Sequence, residues 1–159
     1  MREINLTTKI AVYLLEECSE VEKKLIDAAK SATKNAYAPY SRFRVGAAVL
    51  LENGGIISGN NQENAAYPSG LCAERTALFF ANATYPDQKV EAIAIAAWHN
   101  GQFTREAITP CGACRQVLLE AENRFHSPMK VLMYSEEGIY VASAIKDMLP
   151  LSFGDKMLK

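Results

Sequence analysis

The sequence predicts an α/β domain in which helices pack on one mixed sheet. Three observations lead there. Val90 to Trp98 is an almost continuous apolar run, which suits a strand buried on both faces. Segments with a helical apolar period alternate with strand-like segments along the whole chain. Asn53-Gly54-Gly55 separates two strand-like runs and reads as a hairpin turn.

The elements follow in order. Ile4, Leu6, Ile10, Val12 and Leu14 share one parity, with Asn5, Thr7 and Lys9 on the other, so a half-buried strand is expected there. Residues 1–18 are therefore read as an N-terminal extension strand, and 19–159 as a single domain. Ser19-Glu20-Val21-Glu22 is a capping box. It opens a helix to about Ala36, with Val21, Leu25, Ala28, Ala29 and Ala32 on one face. Pro39 starts a loop. Arg44 to Leu51 and Ile56 to Asn60 are the strands of the hairpin. Cys72 to about Ala83 is a helix, with Ala73, Ala77 and Ala81 offering a small-residue surface for close helix approach between subunits. Trp98 reads as core. Pro110 sets the start of the next helix, Cys111 to about Phe125. Lys130 to Ser135 and Ile139 to Ser143 are the last strands, followed by a short helical turn and a tail.

Composition sets outer bounds. At 159 residues the chain is long enough to bury a core without disulfides. A net charge of −1, with Lys and Arg dispersed, argues against a polyanionic partner, although a local basic patch can hide in a neutral total. Four cysteines point to a reducing compartment and metal use. No signal segment or membrane-length apolar run is visible, so the cytoplasm is the expected location and no membrane is expected as a partner.

The chemistry concentrates in Cys72-Ala73-Glu74-Arg75 and Pro110-Cys111-Gly112-Ala113-Cys114. Cys111 and Cys114 have the spacing that lets one tight turn offer two thiolates to a zinc ion, and Cys72 can join them only through folding. Three protein ligands leave an open position, the catalytic arrangement. A structural site needs a fourth ligand, for which only Cys18, His99 and His126 are available, none with a partner at short spacing. A redox pair would want a thioredoxin-like context that is missing here. Three buried thiols acting as small hydrophobes are the remaining bland alternative. Thiolates at helix starts are stabilised by the dipole, and Arg75 and Arg115, each beside a ligand, are candidates to donate to a thiolate sulfur. Cys18 reads as a structural thiol, and His99 and His126 as exposed or capping residues.

The spacing Cys72-x-Glu74 followed by Pro110-Cys111-x-x-Cys114 resembles the signature of zinc nucleobase deaminases in its three-cysteine form. The chain more specifically resembles the small, homotetrameric cytidine deaminases. The matching segments run from Tyr37-Ala38-Pro39-Tyr40-Ser41-Arg42-Phe43 through Asn61-Gln62-Glu63-Asn64 and both cysteine motifs to Leu149-Pro150-Leu151-Ser152-Phe153-Gly154, in order from about residue 20 to 154. Gln62 departs from the aliphatic residue usual there.

The resemblance implies a three-layer α/β/α fold with a mixed central sheet. It also implies one Zn²⁺ per chain on Cys72, Cys111 and Cys114, and deamination of cytidine and deoxycytidine in pyrimidine salvage. Glu74 would move protons among water, the pyrimidine N3 and the leaving amine. Asn61 and Glu63 would hold the ribose, Phe43 the pyrimidine face, the Ala73 N–H the base O2 and the Thr109 carbonyl the exocyclic amine. Tyr67 and Phe153 would complete a site, often a neighbouring subunit's. No nucleic-acid partner is implied, since a polynucleotide deaminase would more often show a His ligand and a basic face. A zinc deaminase of another small aminated heterocycle and a non-catalytic zinc module are the competing readings; the ribose pair opposes the first and Glu74 the second.

Overall fold

The computed structural model describes residues 1–158. Its centre is a seven-stranded sheet, β1 (Ala11–Tyr13), β2 (Arg44–Leu51), β3 (Ile56–Asn60), β4 (Val90–His99), β5 (Gln102–Phe103), β6 (Lys130–Tyr134) and β7 (Ile139–Ala142). The order is β1-β7-β6-β4-β2-β3, with β5 paired to β4 off that path. Only β4 and β6 run parallel, so the sheet is mixed. Their connection carries α3 (Gly112–Phe125), as a parallel crossover needs a long return path.

The sides of β2 explain the layers. Ala47, Val49 and Leu51 point into a core shared with α2 (Ala73–Thr84) and α3 through Ala77, Leu78, Ala81, Leu118 and Leu119. Ala48 faces the opposite way, into a second core with Leu25, Ile26 and Ala29 of α1 (Glu20–Ala32). The period of two along a strand thus sends alternate residues to α1 or to α2 and α3, which gives the expected three layers. The capping box is formed: Ser19 Oγ accepts from the Glu22 N–H and Glu22 accepts from the Ser19 N–H at 2.8 Å.

Small residues let both helix layers sit close to the sheet. A Cβ on Gly59 of β3 would lie 2.4 Å from the backbone nitrogen of Ala77, and one on Gly46 of β2 would lie 2.1 Å from the carbonyl oxygen of Ala29. The alanines of α2 are therefore used inside the chain. Ala73, Ala77 and Ala81 are buried, whereas Phe79 and Phe80 face outward. The expectation that this alanine surface meets another subunit is corrected accordingly.

Three further differences concern the ends of elements. The N-terminal strand is three residues long rather than the whole of Ile4 to Leu14, and pairs with β7 at the sheet edge. Residues 1–10 are exposed, because nothing covers the apolar parity. Trp98 is half-exposed at the end of β4, packed edge-on against Phe103 at 4.8 Å. β5 went unread because two residues carry no period. Cys18 is buried, and exposed His126 caps α3 in the left-handed conformation at φ 48°.

Candidate active site

Two helix starts meet at the site. Cys72 is the N-cap of α2 and Cys111 the N-cap of α3, with Cys114 in the first turn of α3. The three sulfurs lie within 4.8 Å of one another, and Cys72 and Cys111 are 3.9 Å apart. Zinc–sulfur bonds of about 2.3 Å in a tetrahedron place sulfurs about 3.8 Å apart, so the cluster fits Zn²⁺. Soft thiolate donors suit the same ion. Among the described residues no further His, Cys, Asp or Glu joins the cluster, so the ligand count stays at three.

The electrostatics favour ionised sulfur at one point. The Cys72 thiol is brought down to about 5, first by a hydrogen bond from Cys114 and then by Arg75, against the effect of burial. Cys114 is pushed up by that same hydrogen bond and by burial. Arg75 donates through Nη2 to Cys72 Sγ at 3.9 Å and to the Gly70 carbonyl at 3.4 Å. Its Nε is buried with no hydrogen-bond partner, which leaves spare donor capacity beside the sulfurs. Arg115 does something different. It donates to the Pro110 carbonyl at 2.8 Å, the Met148 carbonyl at 2.9 Å and Thr109 Oγ1 at 3.3 Å, bracing the loop before α3 rather than reaching a sulfur.

Glu74 is 5% exposed in the first turn of α2. Burial raises the pKa of its carboxyl, and the nearby Cys72 charge adds to the effect. Glu74 opens onto a cavity of about 630 Å³ together with Asn61, Glu63, Tyr67, Ala73, Thr109, Cys72, Cys111 and Arg75. Tyr40, Ser41, Val45, Leu71 and Ile108 complete much of the wall.

The cavity rim is held by side-chain to backbone ties that the sequence did not disclose. Asn61 Oδ1 accepts from the Val45 N–H at 2.8 Å and its Nδ2 donates to the Phe43 carbonyl at 2.9 Å. Glu63 accepts from the Tyr40 and Ser41 N–H groups at 2.9 and 3.2 Å and from the Ser41 hydroxyl. The Ser41 hydrogen bond, foremost, keeps the Glu63 carboxyl below its ordinary pKa.

Two expected residues stand apart. Phe43 is half-buried with its ring 5.3 Å from His99, outside the cavity lining. Phe153 is 57% exposed on the C-terminal tail, which Gln116 Nε2 ties down through the Phe153 carbonyl at 3.0 Å.

Comparison with known proteins agrees with this geometry. The family described as the cytidine and deoxycytidylate deaminase zinc-binding region matches residues 19–126. A cytidine deaminase of Halalkalibacterium halodurans is 41% identical over 129 residues, covering 81% of this chain and 91% of that one. A cytidine deaminase of Sporosarcina psychrophila is 40% identical over 136 residues, covering 86% and 93%. The crystal structure of cytidine deaminase from Burkholderia pseudomallei superposes with a TM-score of 0.69 at 42% identity, over 82% of this chain and 97% of that one. With its three cysteines gathered at two helix starts and Glu74 buried beside them, the chain belongs to the cytidine and deoxycytidylate deaminase zinc-binding family.

Proposed function

We propose that this chain is an enzyme that hydrolyses cytidine and deoxycytidine to uridine and deoxyuridine with release of ammonia. The observation that carries the reading is the placement of Glu74, buried on the wall of the same cavity that Cys72 and Cys111 border. Zinc held by Cys72, Cys111 and Cys114 supplies Lewis acidity, which brings water's pKa down towards about 7.

The chain's own residues do the rest. Glu74 takes a proton from water as oxygen bonds to C4, and delivers a proton to N3. It then takes the second proton from the oxygen now on C4 and passes it to the amine as the C4–N4 bond breaks, so that oxygen becomes the carbonyl, N3 keeps its proton and ammonia leaves. One carboxyl serving these transfers needs access to both neutral and ionised forms near neutral pH, which burial promotes. The Ala73 N–H lies in the first turn of α2, where no intrahelical acceptor exists, and is free for the base O2. Thr109 lines the same cavity, and its carbonyl is assigned as the acceptor for the amine. Asn61 and Glu63 keep further hydrogen-bonding capacity beyond their loop ties, for ribose hydroxyls.

Among the described residues Arg75 is the one cation on the cavity wall; its Nη2 is engaged with Cys72 and Gly70, and its unpaired Nε is buried. Among the described residues the wall of this cavity therefore offers no unengaged cation to a 5′-phosphate, which favours a nucleoside over a nucleotide. Ammonia release and product identity should be measured across nucleosides, free bases and nucleotides with zinc quantified. Turnover of another heterocycle but not of cytidine would overturn the assignment.

The assembly we propose is a homotetramer in which Tyr67 and Phe153 reach a neighbour's cavity. The support is their exposure, 77% and 57%, together with outward Phe79 and Phe80, since apolar surface of this kind marks an interface. A cytoplasmic setting is in keeping with four free cysteines. No helix among the described residues is long and apolar enough to cross a membrane.

A further inference from the structure

A second cavity of about 290 Å³ lies on the α1 side of the sheet, lined by Lys30, Thr33, Lys34, Arg44, Trp98 and Phe103. We infer that it binds a small mononucleotide, a flat ring carrying a phosphate, at a site separate from the cavity at the cysteines. Three cations converge here in a chain whose net charge is −1. None of the ion pairs among the described residues includes Lys30, Lys34 or Arg44. Trp98 and Phe103 stand edge to face at 4.8 Å, so the wall already presents an aromatic surface to a ring.

A purely structural role accounts for part of this cluster. Lys30 Nζ lies over the Phe103 and Tyr134 rings at 5.0 and 4.4 Å and donates to the Tyr134 hydroxyl at 3.3 Å, which clamps the end of α1 to the sheet. That clamp leaves the open volume unexplained, and with it Lys34 and Arg44. Phosphate satisfies the cations through charge-assisted hydrogen bonds, and a nucleobase has a face for the aromatic wall. The volume is of the size of a ring with one phosphate group.

The location gives binding a consequence. Arg44 sits between Phe43 and Val45, the two backbone positions tied by Asn61, and Val45 lines the cavity at the cysteines. Strand alternation sends Arg44 to one face and Val45 to the other. A ligand drawn onto Arg44 therefore loads the strand that carries the opposite site.

The chain has a single tryptophan, so all tryptophan emission comes from the wall of this cavity. The zinc-loaded enzyme would be titrated with AMP, adenosine, inorganic phosphate and a short oligodeoxynucleotide; a purine is used so that the probe is not a pyrimidine substrate. A saturable emission change with AMP is expected, with adenosine and phosphate each weaker by about tenfold or more. The double variant Lys34→Ala/Arg44→Ala should weaken AMP binding by about a hundredfold while cytidine turnover without AMP stays unchanged. If the double variant is unstable, Lys34→Gln alone should still weaken it about tenfold. No saturable change, equal binding of phosphate and AMP, unaltered binding in the variants, or tighter binding of the oligonucleotide would each overturn the inference. Cytidine turnover is read separately, so failure here leaves the proposed deamination standing.

Discussion

Glu74 and Glu122 are both buried acids on helices, and substituting each tests a different role. Glu74→Gln should keep fold and zinc but lose turnover by about 10²–10⁴-fold or more, because an amide cannot carry the proton. Steady-state kinetics beside metal analysis decides this, and near-normal activity would remove Glu74 from its role. Glu122 Oε2 accepts from the Met129 N–H at 3.0 Å and the Ile145 N–H at 2.9 Å, joining α3 to the chain on either side of β6 and β7. Glu122→Ala would orphan two buried donors, costing about 2–6 kcal/mol at about 1–3 kcal/mol each. Since both bonds end on one oxygen, Glu122→Gln should cost markedly less, and denaturant unfolding of the pair checks it. Glu74 was legible because its spacing from Cys72 is a chemical pattern. Glu122 was not, since a lone Glu on an amphipathic helix looks like any solvated one until its partners from distant segments are known. The role of Arg115, one of two candidates to reach a sulfur, was open for the same reason, its acceptors being the Pro110 and Met148 carbonyls and the Thr109 hydroxyl.

At the scale of elements, the hairpin, α2, α3 and the β4 run were legible from period and caps, because those signals are local. The first strand was not. Alternation in Ile4 to Leu14 meets the pattern, but a strand also needs a partner edge and a surface to cover it, and β7 supplies pairing for only three residues. Gly59 illustrates how packing then sets element positions. Gly59→Ala should destabilise the fold by about 1–3 kcal/mol through overpacking against α2, and weaken zinc binding because Cys72 caps that helix. Gly54→Ala, at φ 83° with open space around it, should cost about 1 kcal/mol from backbone strain alone and leave zinc binding untouched. Thermal unfolding with a zinc titration separates the two.

For the whole molecule, stability, metal and assembly should move together. A chelator should lower the unfolding temperature and abolish turnover, and both should return with added zinc, because a ligand bound only by the native state stabilises it by mass action. Sedimentation across a dilution series, with activity measured in parallel, tests the tetramer. A fully active monomer would show that Tyr67 and Phe153 serve no neighbouring site.

The junction of the two helix starts has a topological meaning as well. Cys72 and Cys111 are 39 residues apart, so an ion gripping both shuts the intervening α2–β4–β5 segment into a ring. In that respect zinc acts as a reversible staple, removing loop-closure freedom from the unfolded chain much as a disulfide would. Demetallated protein should then open first at the ring's neck, the partly exposed stretch from Arg105 to Thr109, and a protease should nick it there, beside exposed Arg105 and Glu106, before the sheet lets go.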